Sequence, residues 1–217
     1  MTPKIKICCI GSEAEAAMAV KYGASAVGLV GKMPSGPGVI SDDQIRDIAK
    51  TVPPLVSTFL LTSETTSGKI IDHHQRTHTS VIQLVDRVEA SGYSELRKSL
   101  PGVKLVQVIH VVSEESVDEA VRASEFADAL LLDSGNPNLE IKVLGGTGKI
   151  HNWKLSRKIR DTVGIPIFLA GGINKENVQR AVEQVEPFGL DLCSSVRTEG
   201  RLDEKKLAAF FEAVRRV

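Results

Sequence analysis

Eight apolar segments rich in Val, Ile and Leu, each followed by a stretch with helical spacing, predict an α/β fold of one domain, a single (β/α)8 (TIM) barrel. The repeat is about 27 residues long, which suits a compact barrel, whereas an open doubly wound sheet usually stops at five or six parallel strands. No linker, charge block or low-complexity tract divides the chain, so one domain is expected over residues 1–217. In order, the expected strands are residues 5–10, 26–30, 55–61, 80–84, 104–111, 129–132, 166–170 and 189–193. The helices between them fall at 13–21, 42–50, 114–124, 153–162, 175–183 and 203–216. Ser12, Ser41, Ser113 and Asn174 are placed to cap four of these. Two further helices, between residues 63 and 77 and at 91–99, carry a glycine near their starts, which weakens their helical signal.

Composition removes several classes of function. Lys plus Arg (27) balances Asp plus Glu (27), so no excess positive field exists to hold a phosphate backbone or an acidic membrane. Aromatic residues, at 4%, are too few for a series of base-stacking platforms. No nucleic acid partner is therefore expected. No run approaches the ~18 apolar residues of a membrane span, and the polar first residues lack a signal-peptide core, which points to a cytoplasmic protein. The odd cysteine count, with Cys8 and Cys9 adjacent, points to reduced thiols. Scattered charges select neither a monomer nor a homodimer.

In a barrel of this kind chemistry sits at the C-terminal ends of the strands. Polar and glycine-rich residues concentrate there. Gly171 and Gly172 precede the turn at Asn174, and Ser194 and Ser195 end the adjacent strand; together they would offer N–H groups and hydroxyls to a phosphate. A plain tight turn is the competing reading of Gly-Gly. The long connection from Ser134 to Asn152, which includes Gly145, Gly146, Thr147 and Gly148, suggests a lid closing over the same region. Asp133 closes the apolar run ADALLLD, where lost hydration would make its carboxyl group easier to protonate. An exposed carboxylate turning onto Gly135 is the alternative. Cys8 would serve as base or nucleophile beside a positive charge, or merely as a small buried hydrophobe. His73, His74 and His78 include a metal-compatible i, i+4 pair, but no acidic residue accompanies them in a zincin-like arrangement, and a solvated helix face is expected instead. Cys9 and Cys193 lack the spacing of a structural zinc site, so no metal is expected. With no dinucleotide fingerprint, nucleophile elbow or Walker loop, the default is chemistry on a small molecule without a cofactor.

Five segments in register, KICCI, LLLDS, GGTGKIHNW, LAGGINKENV and DLCSSV, resemble the phosphoribosylanthranilate isomerase family of tryptophan biosynthesis over the length of the chain. The resemblance implies an Amadori rearrangement of an aminoaldose to an aminoketose, with no cofactor. It implies Cys8 as general base, Asp133 as general acid, and a substrate phosphate held around Gly171, Gly172, Ser194 and Ser195. Gln83 and Asp191 match family positions near the active centre, and Gly146 lies in the matching glycine loop. The chain also departs from the pattern. Gly38 stands where the family has an arginine against the anthranilate ring, Val85 where it has a histidine, and Cys9 and Ser195 where it has glycines. The altered ring contacts leave two other readings open: another sugar-phosphate isomerase or epimerase, or a barrel that binds a phosphorylated ligand without catalysis.

Overall fold

A computed structural model describes residues 2–135 and 150–217. Strands β1 (Lys4–Ile7), β2 (Ala26–Val30), β3 (Ser57–Thr62), β4 (Val81–Leu84), β5 (Lys104–His110), β6 (Ala129–Asp133), β7 (Ile167–Leu169) and β8 (Gly189–Leu192) close in chain order into a parallel barrel. Helices α1 (Glu13–Tyr22), α2 (Asp42–Thr51), α3 (Ser67–Thr77), α4 (Ala90–Ser99), α5 (Glu115–Ser124), α6 (Trp153–Thr162), α7 (Val178–Val185) and α8 (Glu204–Val214) alternate with them. The predicted (β/α)8 barrel is the fold observed. A short antiparallel pair, β9 (Arg197–Thr198) and β10 (Arg201–Leu202), follows β8 and was not anticipated. Among the described residues no helix is long and apolar enough to cross a membrane.

Local chemistry explains most boundaries. Ser12 accepts the Glu15 N–H at 3.2 Å, and Ser41 forms a reciprocal capping box with Gln44. Two expected caps act differently. Ser113 lies outside the first turn of α5, whose cap position is Glu114; the hydroxyl that accepts the Val112 N–H, at 3.1 Å, belongs to Ser116. Asn174 accepts from Glu176 and Asn177 N–H groups, both at 3.0 Å, but the turn it caps precedes α7, which begins only at Val178. β1 stops at Ile7, so Cys8 is the first residue beyond the strand, not a position within it. Despite Gly68 and Gly92, α3 and α4 form because tertiary burial of Ile70, Tyr93 and Leu96 outweighs the glycine cost.

The third helix corrects one expectation. His73 and His74 are buried, not on a solvated face. Burial lowers both pKa values and keeps the rings neutral. His73 therefore donates through Nε2 to Asp42 at 3.1 Å and accepts the Thr62 hydroxyl at Nδ1, 2.9 Å away. His74 donates to the Thr79 carbonyl at 2.7 Å. These rings bolt α3 to its neighbours, and only His78 is exposed.

Two apolar layers result. One lies between sheet and helices; the other fills the barrel and includes Phe59, Val106, Leu131 and Phe168. Within this second layer stands an unexpected cation. Lys6 is fully buried, with its ammonium 5.2 Å from the centre of the Phe59 ring and 2.9 Å from Asp191. Burial alone would lower its pKa, yet the adjacent carboxylate more than offsets this and raises it, so Lys6 stays charged. Lys6 and Asp191 are also register partners across the β1–β8 seam. Removing one partner strands a buried charge, and Lys6→Met is expected to lower stability by about 3–5 kcal/mol. Lys6→Met/Asp191→Leu should recover most of that loss. Urea unfolding of the three proteins checks this; a double variant no better than the single one contradicts the coupling.

Candidate active site

The strand ends open into one cavity of about 720 Å³, solvent at its mouth included. Cys8, Gln83, Asp133, Gly171, Gly172, Asp191, Ser194 and Ser195 all border it, so the barrel gathers every site residue expected from the sequence that falls within the described residues. Gly146 and the expected lid lie outside them, in residues 136–149.

Asp133 ends β6 and is only 8% exposed. Its carboxyl accepts the Ser134 N–H at 2.7 Å; the alternative of an exposed carboxylate is not what forms. Loss of hydration raises its pKa, against the opposing pull of Ser134, His110 and Lys6. The site thus holds a carboxyl biased toward its proton-donating form. Cys8 is buried beside the same space, and its N–H donates to the Leu192 carbonyl at 2.7 Å, continuing the β1–β8 seam past the strand end. Asp191 faces the cavity but is committed to Lys6.

Between Asp133 and Cys8 around the barrel, after β7, Gly171 and Gly172 have φ values of 78° and 66°, a left-handed pair that glycine adopts without strain. The Gly172 carbonyl is held by the Asn177 side chain at 2.9 Å. Ser194 and Ser195 lie in a 3-10 turn directly after β8. The Ser195 hydroxyl and Gln83 Oε1 are buried and have no hydrogen-bond partner among the described residues, which leaves both groups available to a ligand.

Sequence reasoning missed the groups that hold the Cys8 turn in place. Buried Arg197 donates to the Cys8 carbonyl at 2.9 Å, also to the Cys9 carbonyl, and pairs with Glu15 at 3.3 Å. Glu15 in turn accepts N–H groups from Gly11 and Leu202 at 2.9 and 2.8 Å. No local spacing links positions 8, 15 and 197; only barrel closure joins them. His110 was also missed. It ends β5 opposite Asp133 in register, and its Nε2 lies 3.1 Å from the carbonyl of Val85.

Two departures noted in the sequence prove to be one packing change. Cys9 has φ 61°, a left-handed conformation that costs a non-glycine residue roughly 1–2 kcal/mol. Its side chain points toward loop two: a Cβ built on Gly38 would lie 2.5 Å from the Cys9 Cβ. Gly38 itself has φ 79°. A side chain at 9 therefore demands its absence at 38. All three cysteines are free thiols; the Cys9 sulfur lies 3.0 Å from that of Cys193 and 3.9 Å from that of Cys8. Among the described residues no group of side chains is arranged to hold a metal ion.

A family model described as N-(5'-phosphoribosyl)anthranilate isomerase matches residues 5–213. The relative of that name from Methanocella arvoryzae is 31% identical over 213 residues, covering 98% of both chains. Among solved structures, the phosphoribosyl anthranilate isomerase of Thermotoga maritima is 29% identical with a TM-score of 0.82, covering 99% of this chain and 100% of its own. An isomerase of the same name, solved with reduced 1-(o-carboxyphenylamino)-1-deoxyribulose 5-phosphate, is 26% identical with a TM-score of 0.79 and the same coverage.

The steric coupling of positions 9 and 38 is measurable. Gly38→Arg alone is expected to destabilise the protein by about 2–4 kcal/mol through overlap with Cys9 and the strained φ. In the Cys9→Gly background the same substitution should cost distinctly less. Additive losses in thermal or urea unfolding would show that the two sites are independent.

Proposed function

The chain belongs to the N-(5'-phosphoribosyl)anthranilate isomerase family, and from this membership we propose that it converts N-(5'-phosphoribosyl)anthranilate to the 1-deoxyribulose 5-phosphate ketose, with Asp133 as general acid and Cys8 as general base. The reaction is an Amadori rearrangement, an aldose–ketose isomerisation in tryptophan biosynthesis. The observation that carries the assignment of roles is the shared cavity: a carboxyl biased toward its protonated form and a thiol border the same space as the glycine and serine rim.

The chemistry needs both groups. Asp133 gives its proton to the furanose ring oxygen, the C1'–O bond breaks, and the ring opens to a Schiff base. The Cys8 thiolate then removes the C2' proton, which leaves an enolamine that tautomerises to the ketone. Acid and base act in succession on the two atoms that flank C1' of one pentose, the ring oxygen and C2'. Asp133 stays a donor because burial disfavours its charge. Arg197 fixes the Cys8 backbone, so the thiol is presented at one position rather than over a range.

At the other end of the sugar, the phosphate rests on the backbone of Gly171 and Gly172 and on Ser194 and Ser195, with the unpartnered Ser195 hydroxyl as one donor. Gln83 offers its free amide oxygen to a sugar hydroxyl or the bridging amine. Asp191 acts indirectly, as the counter-charge that holds Lys6 below the site. Met33, which lines the cavity beside the segment from Ser35 to Pro37, offers a thioether to the anthranilate ring where the family arginine is missing. The proton transfers require no cofactor. The substrate is a small phosphorylated sugar derivative, one functional unit spans residues 1–217, and the enzyme works in the cytoplasm, where the family's pathway operates.

Incubation with freshly generated phosphoribosylanthranilate, followed by the loss of anthranilate fluorescence, tests the activity; no turnover at high enzyme concentration overturns it. Asp133→Asn and Cys8→Ser should each lower kcat by about 10²–10⁴-fold, because each removes one proton-transfer partner. Phosphate affinity in Asp133→Asn should stay near that of the parent. Loss of both together would mean that Asp133 is structural.

The pH dependence follows from the raised Asp133 pKa. The protonated form is the active one, so kcat/KM should fall as pH rises through that pKa. Displacement by burial should carry this fall above the ordinary carboxylate range. A profile that declines near pH 4 and is flat above it would remove Asp133 as the acid.

A further inference from the structure

We propose that Cys9 and Cys193 form a dithiol which a two-electron oxidant of the hydroperoxide class closes reversibly to a disulfide, and that the closed form no longer turns over substrate. The two sulfurs are 3.0 Å apart, closer than thiols that merely pack. They sit just past β1 and β8, whose last register pair is Ile7 with Leu192. Neighbouring strands lie about 4.8 Å apart, which is within the range of roughly 4.4–6.8 Å that disulfides span between Cα atoms.

The two thiols are also suited to different steps. Both line the open cavity, which gives a small oxidant its path. Cys193 is partly exposed, while Cys9 is buried behind it. The sulfur contact with Cys9, assisted by the Arg197 guanidinium, lowers the Cys193 pKa against the effect of burial. The same contact, together with Cys8 and burial, raises that of Cys9. Cys193 is thus the thiolate that meets the oxidant.

The reaction balances in two steps. The Cys193 thiolate attacks one oxygen of hydrogen peroxide, the O–O bond breaks, and a sulfenic acid forms as water leaves. The Cys9 sulfur then attacks the sulfenic sulfur; the S–S bond forms and a second water departs with the Cys9 proton. In sum, two thiols and one peroxide give one disulfide and two waters. A dithiol reductant reverses the change and is itself oxidised.

Closure ties the turn bearing the base to the turn bearing the phosphate seat, since Cys9 follows Cys8 and Cys193 precedes Ser194 and Ser195. This second half of the proposal rests on the function assigned above. The first half does not.

Titration of the purified protein with hydrogen peroxide tests both. The expected outcome is loss of two of the three thiols, with Cys8 left free. Peptide mass mapping should show residues 7–21 linked to residues 181–197. Turnover should be lost in proportion to the fraction crosslinked and return with dithiothreitol. In Cys8→Ser, which the assigned function makes inactive, the crosslink should still form, so the sulfur chemistry is read independently of catalysis. In Cys9→Gly and in Cys193→Ser the crosslink should be absent. Three thiols surviving oxidation, a crosslink that persists in Cys9→Gly, or over-oxidation of single cysteines without a crosslink would overturn the dithiol. A crosslinked protein with unchanged turnover would overturn the link to activity.

Discussion

The pairing of β1 with β8 is the constraint on which the remainder of the molecule depends. It turns eight consecutive βα units into a closed barrel, and it sets Lys6 opposite Asp191 in register. A lysine without exposure inside an apolar barrel is tolerable only with its counter-charge within hydrogen-bond reach. A slip of one residue along this seam would turn Lys6 to the other face and strand Asp191 in the interior. The ion pair therefore contributes less as net stability than as a penalty on every other register. The same seam continues past the strand ends, where it holds Cys8 against Leu192 and brings Cys9 beside Cys193.

Above that floor, the site is built from groups whose behaviour is set by surroundings rather than by type. The Asp133 carboxyl is pushed toward its protonated form because it is the last residue of a buried strand, where lost hydration outweighs the pull of Ser134, His110 and Lys6. Cys8 is presented at a defined place because Arg197, anchored by Glu15, grips the carbonyl on either side of the next peptide bond. The left-handed Cys9 is tolerated because its thiol fills the space that Gly38 leaves open and meets Cys193. The sulfur cluster thus grows out of one packing choice, a side chain at position 9 set against none at position 38.

The architecture was readable from periodicity. Parallel strands buried on both faces leave continuous apolar runs, and their number, order and approximate limits carried over almost unchanged; β2 and α6 match to the residue. The site residues were readable where the strand ends announce themselves, as with Asp133 after a Leu run and the glycines after β7. Misreadings came where a local signal met a tertiary one. DHHQRTH is polar along the sequence, yet His73 and His74 find partners at Thr62, Asp42 and Thr79 and so can be buried. Asn174 has the right chemistry for a helix cap, but three residues of turn intervene before α7.

What the sequence by itself determined is therefore the set of short-range choices: which segments extend, which coil, where chain direction reverses, and which residue types are delivered to the C-terminal rim. Lys6 with Asp191, Arg197 with Cys8, and Cys9 with Gly38 and Cys193 were decided only by tertiary structure. Their partners lie from 29 to 189 positions apart along the chain. Hydrophobic periodicity is a property of neighbours along the backbone and survives in a one-dimensional reading. Charge pairing, sulfur contact and steric exclusion depend on distances of a few ångströms through space, and those exist only once the barrel has closed.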